Sequence, residues 1–168
     1  MTDTPQSITI RHPTASDGAA MHALVRSLQA LDDNSCYTYL LLATHFADTC
    51  LVAESEGHLV GLVAAYRPPT KPHVVFVWQI GISPTARRQG LASRLLHQLV
   101  KLPACQSATH LEQTVGVSNQ ASRGLFMGFA KKLGVPCERL PHFEAAHFGG
   151  TQHEAEELIR IGPLQHNP

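Results

Sequence analysis

Apolar and polar positions alternate along SITIRHP, Ser7 to Pro13, which predicts a short strand stopped by a proline. From Asp17 the period lengthens. Met21, Leu24, Val25 and Leu28 fall on one helical face behind an aspartate start signal. The run YTYLLLATHF, residues 37–46, predicts a second helix. TCLVAESEGHLVGLVAAYRP, residues 49–68, reads as two strands joined by a tight turn at Glu56-Gly57. HVVFVWQIGI, residues 73–82, is almost continuously β-branched or aromatic and suits a buried central strand. GLASRLLHQLVKL follows as an amphipathic helix, with Leu91, Leu95, Leu96 and Leu99 on one face and Pro103 as its stop. ATHLEQTVGV is a further strand, and NQASRGLFMGFAKKLG a helix closed by Gly134. Residues 136–163 carry weak strand signals between glycine-bearing loops. The order is β-α-α-β-β-β-α-β-α-β, a mixed α/β domain expected over residues 8–163, with tails at 1–7 and 164–168.

Composition narrows the function. The chain has 168 residues, 13 Lys+Arg against 13 Asp+Glu, and an ordinary 43% of hydrophobic residues. With no basic excess, a nucleic-acid partner is not expected. No apolar stretch approaches the roughly 20 residues of a membrane span, and the first residues lack the blocks of a signal peptide, so a cytoplasmic protein is expected. Cys36, Cys50, Cys105 and Cys137 form no C-x-x-C pair and are expected to be reduced and without a role. There are 11 histidines, but none has metal-ligand spacing, so no metal is expected.

The chemistry concentrates between the central strand and the helix after it. Arg87, Gly90 and Ala92 fall at R-x-x-G-x-A where strand gives way to helix. Unpaired N–H groups at a helix start carry partial positive charge and attract anions. Gly90 would admit a close ligand, and Arg87 and Arg88 add charge. The pattern is neither G-x-G-x-x-G nor a P-loop, so a dinucleotide or nucleoside triphosphate is not indicated.

This stretch resembles the [RQ]-x-x-G-x-[GA] motif of the GCN5-related N-acetyltransferase (GNAT) superfamily. VGVSNQASRGLF, with Asn119 and Ser122, resembles its second motif. The resemblance implies a mixed central sheet of six to seven strands flanked by helices, with a splayed strand pair at the acetyl-CoA site. It implies that Ile80, Gly81 and Ile82 bind the pantetheine arm. Arg87, Arg88, Gln89, Gly90, Leu91 and Ala92 would hold the pyrophosphate, with Asn119 and Ser122 beside them. Four further blocks, LDDNSCYTYLLLATHFADTCLVAE, VFVWQIGI, LEQTVGVSNQASRGLF and FGGTQHEAEELIRIGP, resemble the L-2,4-diaminobutyrate acetyltransferases of ectoine biosynthesis. That narrower resemblance implies acetyl transfer from acetyl-CoA to the γ-amine of a small diamino acid, a homodimer, and a place in the response to osmotic stress.

The residues suit such a substrate. An alkyl ammonium has a pKa near 10 and must lose a proton before it attacks a thioester. Glu112 is the first choice of base. It shares a strand face with Thr114, and that face is expected to look into the cleft. Asp32, Asp33 and Asn34 either meet an ammonium or cap the second helix. Trp78 offers a ring face to a cation or packs as core. Tyr37 and Tyr39 line the site or pack, and His153 closes the pocket or bridges a dimer. Arg67 is a candidate for the substrate carboxylate. Phe126 stands where many superfamily members place a tyrosine acid, which leaves the general acid open. Two other readings stay in view: an acetyltransferase for ornithine, lysine or a polyamine, and a non-catalytic acyl-CoA-binding module.

Overall fold

The computed structural model describes residues 7–150 and 152–165. Seven strands, β1 (Thr9–Arg11), β2 (Cys50–Ser55), β3 (His58–Tyr66), β4 (Val74–Ile82), β5 (His110–Gly116), β6 (Cys137–Phe143) and β7 (Glu156–Ile161), form one sheet in the order β1-β2-β3-β4-β5-β7-β6. The four α-helices are α1 (Gly18–Ser27), α2 (Cys36–Thr44), α3 (Leu91–Lys101) and α4 (Gln120–Leu133). Strands and helices thus fall where hydrophobic periodicity placed them. Glu56 and Gly57 both take positive φ in the two-residue β2–β3 turn, as a tight hairpin requires.

Two apolar clusters cover the sheet's two faces. On one, Leu91, Leu95, Leu96 and Leu99 of α3 and Phe126, Phe129 and Ala130 of α4 bury against Val75, Val77, Leu111 and Ile159. On the other, Met21, Leu24 and Val25 of α1 and Tyr39, Leu42 and Ala43 of α2 pack on Val52, Leu62 and Ala64. Asp17 precedes α1 as expected but does not cap it. Its carboxylate instead receives both terminal nitrogens of Arg11, at 2.8 and 2.9 Å, and the Thr14 N–H at 2.7 Å.

The central feature is where β4 leaves β5. The two run parallel and pair only from Val74–His110 to Phe76–Glu112. On its other edge β4 remains paired with β3 to Ile82, and the register there skips Trp78. This extra residue is a bulge. It bends the strand and puts Trp78 and Gln79 on the same side, while Val77 and Ile80 face the α3 side three positions apart. Beyond Phe76 the β4 edge facing β5 has no strand partner among the described residues. The splayed pair expected from the resemblance is present, and the bulge at Trp78 coincides with its opening.

β7 lies between β5 and β6, although β6 comes first in the chain. The expected tails lie partly outside the described residues, at 1–6 and 166–168. Order extends past the expected end at Pro163: the Leu164 N–H donates to the Thr109 carbonyl at 2.7 Å, and Leu164 packs on the core.

Candidate active site

The gap between β4 and β5 opens into two adjoining cavities, of about 600 and 110 Å³. Both are lined by Ala30, Asp32, Gly116, Asn119 and Glu156. The deeper one adds Trp78, Gln79, Gln113, Thr114 and Ser122, and the outer one adds His153. Five residues chosen from sequence on chemical grounds or by resemblance therefore meet there: Asp32, Trp78, Thr114, Asn119 and Ser122. His153 stands at the mouth.

The segment between α1 and α2 forms one wall. Tyr39 is fully buried and donates its hydroxyl to Gln79 Oε1 at 3.0 Å, and Gln79 Nε2 donates to the Asp32 carbonyl at 3.2 Å. Asn34 Nδ2 reaches that same carbonyl at 3.1 Å. This chain fixes the backbone of Asp32 and leaves its carboxylate 81% exposed beside the cleft. Tyr39 and Asn34 are thus supports of the wall, and the cleft lining does not include them. Gly81 belongs to the same wall for a packing reason: a Cβ there would come within 2.5 Å of Leu28 Cδ1 and 3.0 Å of Leu31 Cδ1.

Four expectations change. Glu112 is 2% exposed and is absent from the cleft lining. It sits at the last paired position before the splay. Arg160 donates Nε and Nη2 to its Oε1, both at 2.7 Å, and Lys71 Nζ lies 3.4 Å from its Oε2. Glu112 thus clamps β5 to β7 and to the β3–β4 loop, and it is not placed to meet a ligand in the cleft. Asp33 turns to α1, with His22 at 3.3 Å and Arg26 at 3.6 Å. Tyr37 is 66% exposed on the outer side of α2. Arg67 donates to the Ala104 carbonyl at 2.7 Å, away from the cleft. Phe126 is fully buried in the core, so no proton comes from that position.

Glu156 is the residue sequence reading missed. The sequence carries only a weak strand signal there, yet Glu156, Leu158 and Arg160 alternate along β7, and that spacing is the available signal. β7 pairs antiparallel with β5, which brings Glu156 opposite Gly116 at the open end of the cleft. His153 stacks on Phe148 with ring centroids 3.7 Å apart, and its Nδ1 lies 2.8 Å from the Glu154 carbonyl. That contact makes Nδ1 the protonated nitrogen. Nε2 then faces Asp32 Oδ2 at 3.9 Å and Glu156 Oε1 at 3.8 Å. The Glu154 carboxylate is engaged by Ser118, through its N–H at 3.2 Å and its hydroxyl at 2.7 Å.

The anion cradle lies at the other end of the splay. α3 starts from Gly90 at φ 69°, and Arg88 before it takes φ 62°. A Cβ on Gly90 would have no atom of the described residues within 4 Å, so the glycine answers the backbone conformation and the space beside it is open. The N–H groups of Leu91, Ala92 and Ser93 have no intrahelical acceptor, and no side chain caps them. They fit a diphosphate. Arg87 gives Nε to the Ile82 carbonyl at 3.2 Å and keeps its terminal nitrogens. Asn119 Oδ1 caps α4 by accepting from the Ser122 N–H at 3.0 Å, which leaves its amide nitrogen for a ligand. Burial pushes the Cys50 and Cys105 thiols up to about 11, so both stay protonated and inert. Among the described residues no His/Cys/Asp/Glu group could hold a metal.

Comparison with known proteins agrees with this geometry. Residues 19–129 match the model of the acetyltransferase (GNAT) family. The chain is 46% identical to an L-2,4-diaminobutyric acid acetyltransferase of Bordetella parapertussis, over 95% of this chain and 86% of that one. It is 45% identical to the protein of the same name from Halalkalibacterium halodurans, over 94% and 83%. Its structure superimposes with a TM-score of 0.92, at 40% identity, on a diaminobutyrate acetyltransferase from Paenibacillus lautus in complex with L-2,4-diaminobutyric acid and coenzyme A. That match covers 97% of this chain and 99% of the other.

Proposed function

From the premise that this chain belongs to the acetyltransferase (GNAT) family, and within it to the L-2,4-diaminobutyric acid acetyltransferases, we propose that it moves acetyl from acetyl-CoA to the 4-amino group of L-2,4-diaminobutyrate. The observation that carries the reading is a cleft where two carboxylates, Asp32 and Glu156, and the Trp78 ring meet at the splay of β4 and β5. A substrate with two ammonium groups calls for such a lining.

The steps follow from the chain's own groups. Asp32 and Trp78 hold one ammonium, by charge and by the ring face. Glu156 holds the other and takes its proton, directly or through a water. Among the described residues lining the cleft, His153 alone can carry positive charge, so it receives the substrate carboxylate. Thr114 and Ser122 supply hydroxyls inside the cleft. The freed amine attacks the thioester carbonyl carbon; a C–N bond forms, the C–S bond breaks, and the proton that the nitrogen sheds on becoming an amide goes to the departing thiolate, which leaves as CoA. Unpaired β4 backbone N–H groups beyond Phe76 suit the oxygen that becomes negative in between. A thiol pKa near 8.5 lets the thiolate leave without a strong acid, so Phe126 is no obstacle. The Leu91–Ser93 N–H groups, with Arg87, Arg88 and Gln89 beside them, suit the pyrophosphate, and Ile80 to Ile82 the pantetheine arm.

The same reading includes a place in ectoine formation under osmotic stress, in the cytoplasm, and a homodimer. No described helix is long and apolar enough to cross a membrane. The dimer is supported by the outer strand β6 and the turn after it, where Leu140, Phe143 and Phe148 are 37, 41 and 40% exposed. The test is CoA release with 2,4-diaminobutyrate, ornithine, lysine, 2,3-diaminopropionate and spermidine, with NMR to locate the acetyl group. Preference for 2,4-diaminobutyrate at its 4-nitrogen is the expected result. Preference for another amine would move the function to that amine.

A further inference from the structure

One carboxylate at the mouth of the cleft has no step in the reaction. Glu154 is half-buried, precedes β7 and lines the outer cavity beside His153. Its Oε1 accepts the Ser118 hydroxyl at 2.7 Å, and the Ser118 N–H lies 3.2 Å from each of its oxygens. Beside it, the Val117 N–H donates to the Ala155 carbonyl at 3.4 Å, in line with the Gly116–Glu156 pair of β5 and β7. β5 makes room for this carboxylate by having no side chain at Gly116. A Cβ there would come within 3.1 Å of Glu154 Cδ and 3.3 Å of its Cγ, and nearer still to Oε1. Gly116 is not in the left-handed region, so what it supplies is space. The same glutamate sets the ring before it in the chain. Its carbonyl accepts from His153 Nδ1, and Phe148 stacks on that ring at an interplanar angle of 19°. Ser118 thus holds Glu154, Glu154 holds His153, and Nε2 is aimed between Asp32 and Glu156.

We propose that Glu154 is a positioning residue that determines specificity: by fixing His153 through Ser118, it makes the enzyme select a diamino acid over the plain diamine that lacks the carboxylate. The proposal rests on the diaminobutyrate reading, in which His153 receives that carboxylate. The two ammonium groups of the substrate are met by Asp32, Trp78 and Glu156. A diamine of the same spacing, 1,3-diaminopropane, satisfies those three equally well. The carboxylate is the whole difference between the two amines, and His153 Nε2 is its partner. A charge-assisted hydrogen bond depends on distance and direction, so its strength follows how well the ring is held. A ring already fixed by an anchored backbone loses little freedom when the substrate arrives. The charge of Glu154 as such would repel a carboxylate, so its contribution lies in holding the segment. A glutamine, which keeps an oxygen for both Ser118 donors, should therefore serve in its place.

The experiment compares kcat/KM of the full chain for 2,4-diaminobutyrate and for 1,3-diaminopropane, at saturating acetyl-CoA. Wild type is expected to prefer the diamino acid by a factor of about ten or more. Glu154→Ala should cut that preference roughly tenfold, through a higher KM for 2,4-diaminobutyrate, while kcat/KM for 1,3-diaminopropane and KM for acetyl-CoA stay as they were. Glu154→Gln should restore most of the preference. Ser118→Ala keeps the N–H contact and should give a smaller loss in the same direction; it decides the matter if Glu154→Ala does not fold. A Glu154→Ala enzyme that loses both amines alike would make the residue merely structural and overturn the proposal. So would an unchanged preference in Glu154→Ala or, where that variant does not fold, in Ser118→Ala, and so would a glutamine that fails to rescue. Equal use of the two amines by wild type would overturn the proposal and leave the acetyltransferase reading standing. No turnover of 2,4-diaminobutyrate by wild type would overturn the diaminobutyrate reading itself, and this proposal with it.

Discussion

Two glutamates 44 positions apart show how little residue type says about role. Glu112 and Glu156 both lie on strands of the same half of the sheet, and both project to the face away from α3 and α4. Glu112 meets Arg160 and Lys71 and is closed off; Glu156 looks into the cleft and, among the described residues, has only His153 within ion-pair reach. A carboxylate held by two cations contributes to stability, and one facing a cavity is available for chemistry. Glu112→Gln is therefore expected to leave the acidic limb of the pH–rate profile in place while lowering unfolding stability by about 2–4 kcal/mol, since two cations lose their buried partner. Urea unfolding reads the second quantity. Glu156→Gln should do the reverse, with a ~10²–10³-fold loss of kcat/KM and little change in stability. Loss of the acidic limb in Glu112→Gln, with Glu156→Gln keeping it, would restore Glu112 as the base.

At the scale of elements, two joints hold the cleft in shape. The first ties β1 to the start of α1 and to β2: Arg11 binds Asp17 and also reaches Glu54 Oε2 at 2.8 Å. The Arg11 guanidinium holds the Asp17 carboxyl down at about 2, against an ordinary 3.8. A depressed carboxyl pKa adds stability above the unfolded value and loses it as pH falls through the folded one. The stability gap between wild type and Asp17→Asn should be full above pH 5 and should close between about pH 4 and 2, as acid titration of unfolding will show. The second joint is Gly81 under Leu28 and Leu31. In Gly81→Ala a methyl displaces those leucines, at a cost of about 1–3 kcal/mol. The Asp32 wall moves with them, so KM for the amine should rise more than KM for acetyl-CoA.

These joints also mark where sequence reading ends. Strands, helices and the α3 cradle were legible because each is a local pattern: a period of two, a period of 3.6, or a glycine before a helix. The bulge at Trp78 was not, since an added residue shows only against its partner strand. Nor was the insertion of β7 between β5 and β6, which brings Glu156 to the cleft, because strand order is a property of the folded chain. Asp33 and Tyr37 were legible as chemistry, but their direction is set by α1 and by the turn of α2.

The whole molecule is electrically divided. The basic stretch 57–137 contains the cradle, while Asp32 and Glu156 come from flanking segments that hold 12 of the 13 acidic residues and four of the 13 basic ones. The division matches the two substrates, a polyanion and a diamino acid with two ammonium groups against one carboxylate, and each is drawn to the end that binds it. They meet where β4 and β5 part, so one sheet keeps two opposed fields apart and lets the reacting groups touch. Attraction of this kind acts through exposed charges and weakens once the Debye length, roughly 10 Å at 0.1 M salt, falls below the spacing of the groups. Raising sodium chloride from about 0.05 to 0.5 M should then increase KM for acetyl-CoA several-fold. Steady-state kinetics over that range would decide it: a KM for acetyl-CoA that stays flat with salt would mean that contacts made inside the cradle, and not the field of the basic half, hold the polyanion.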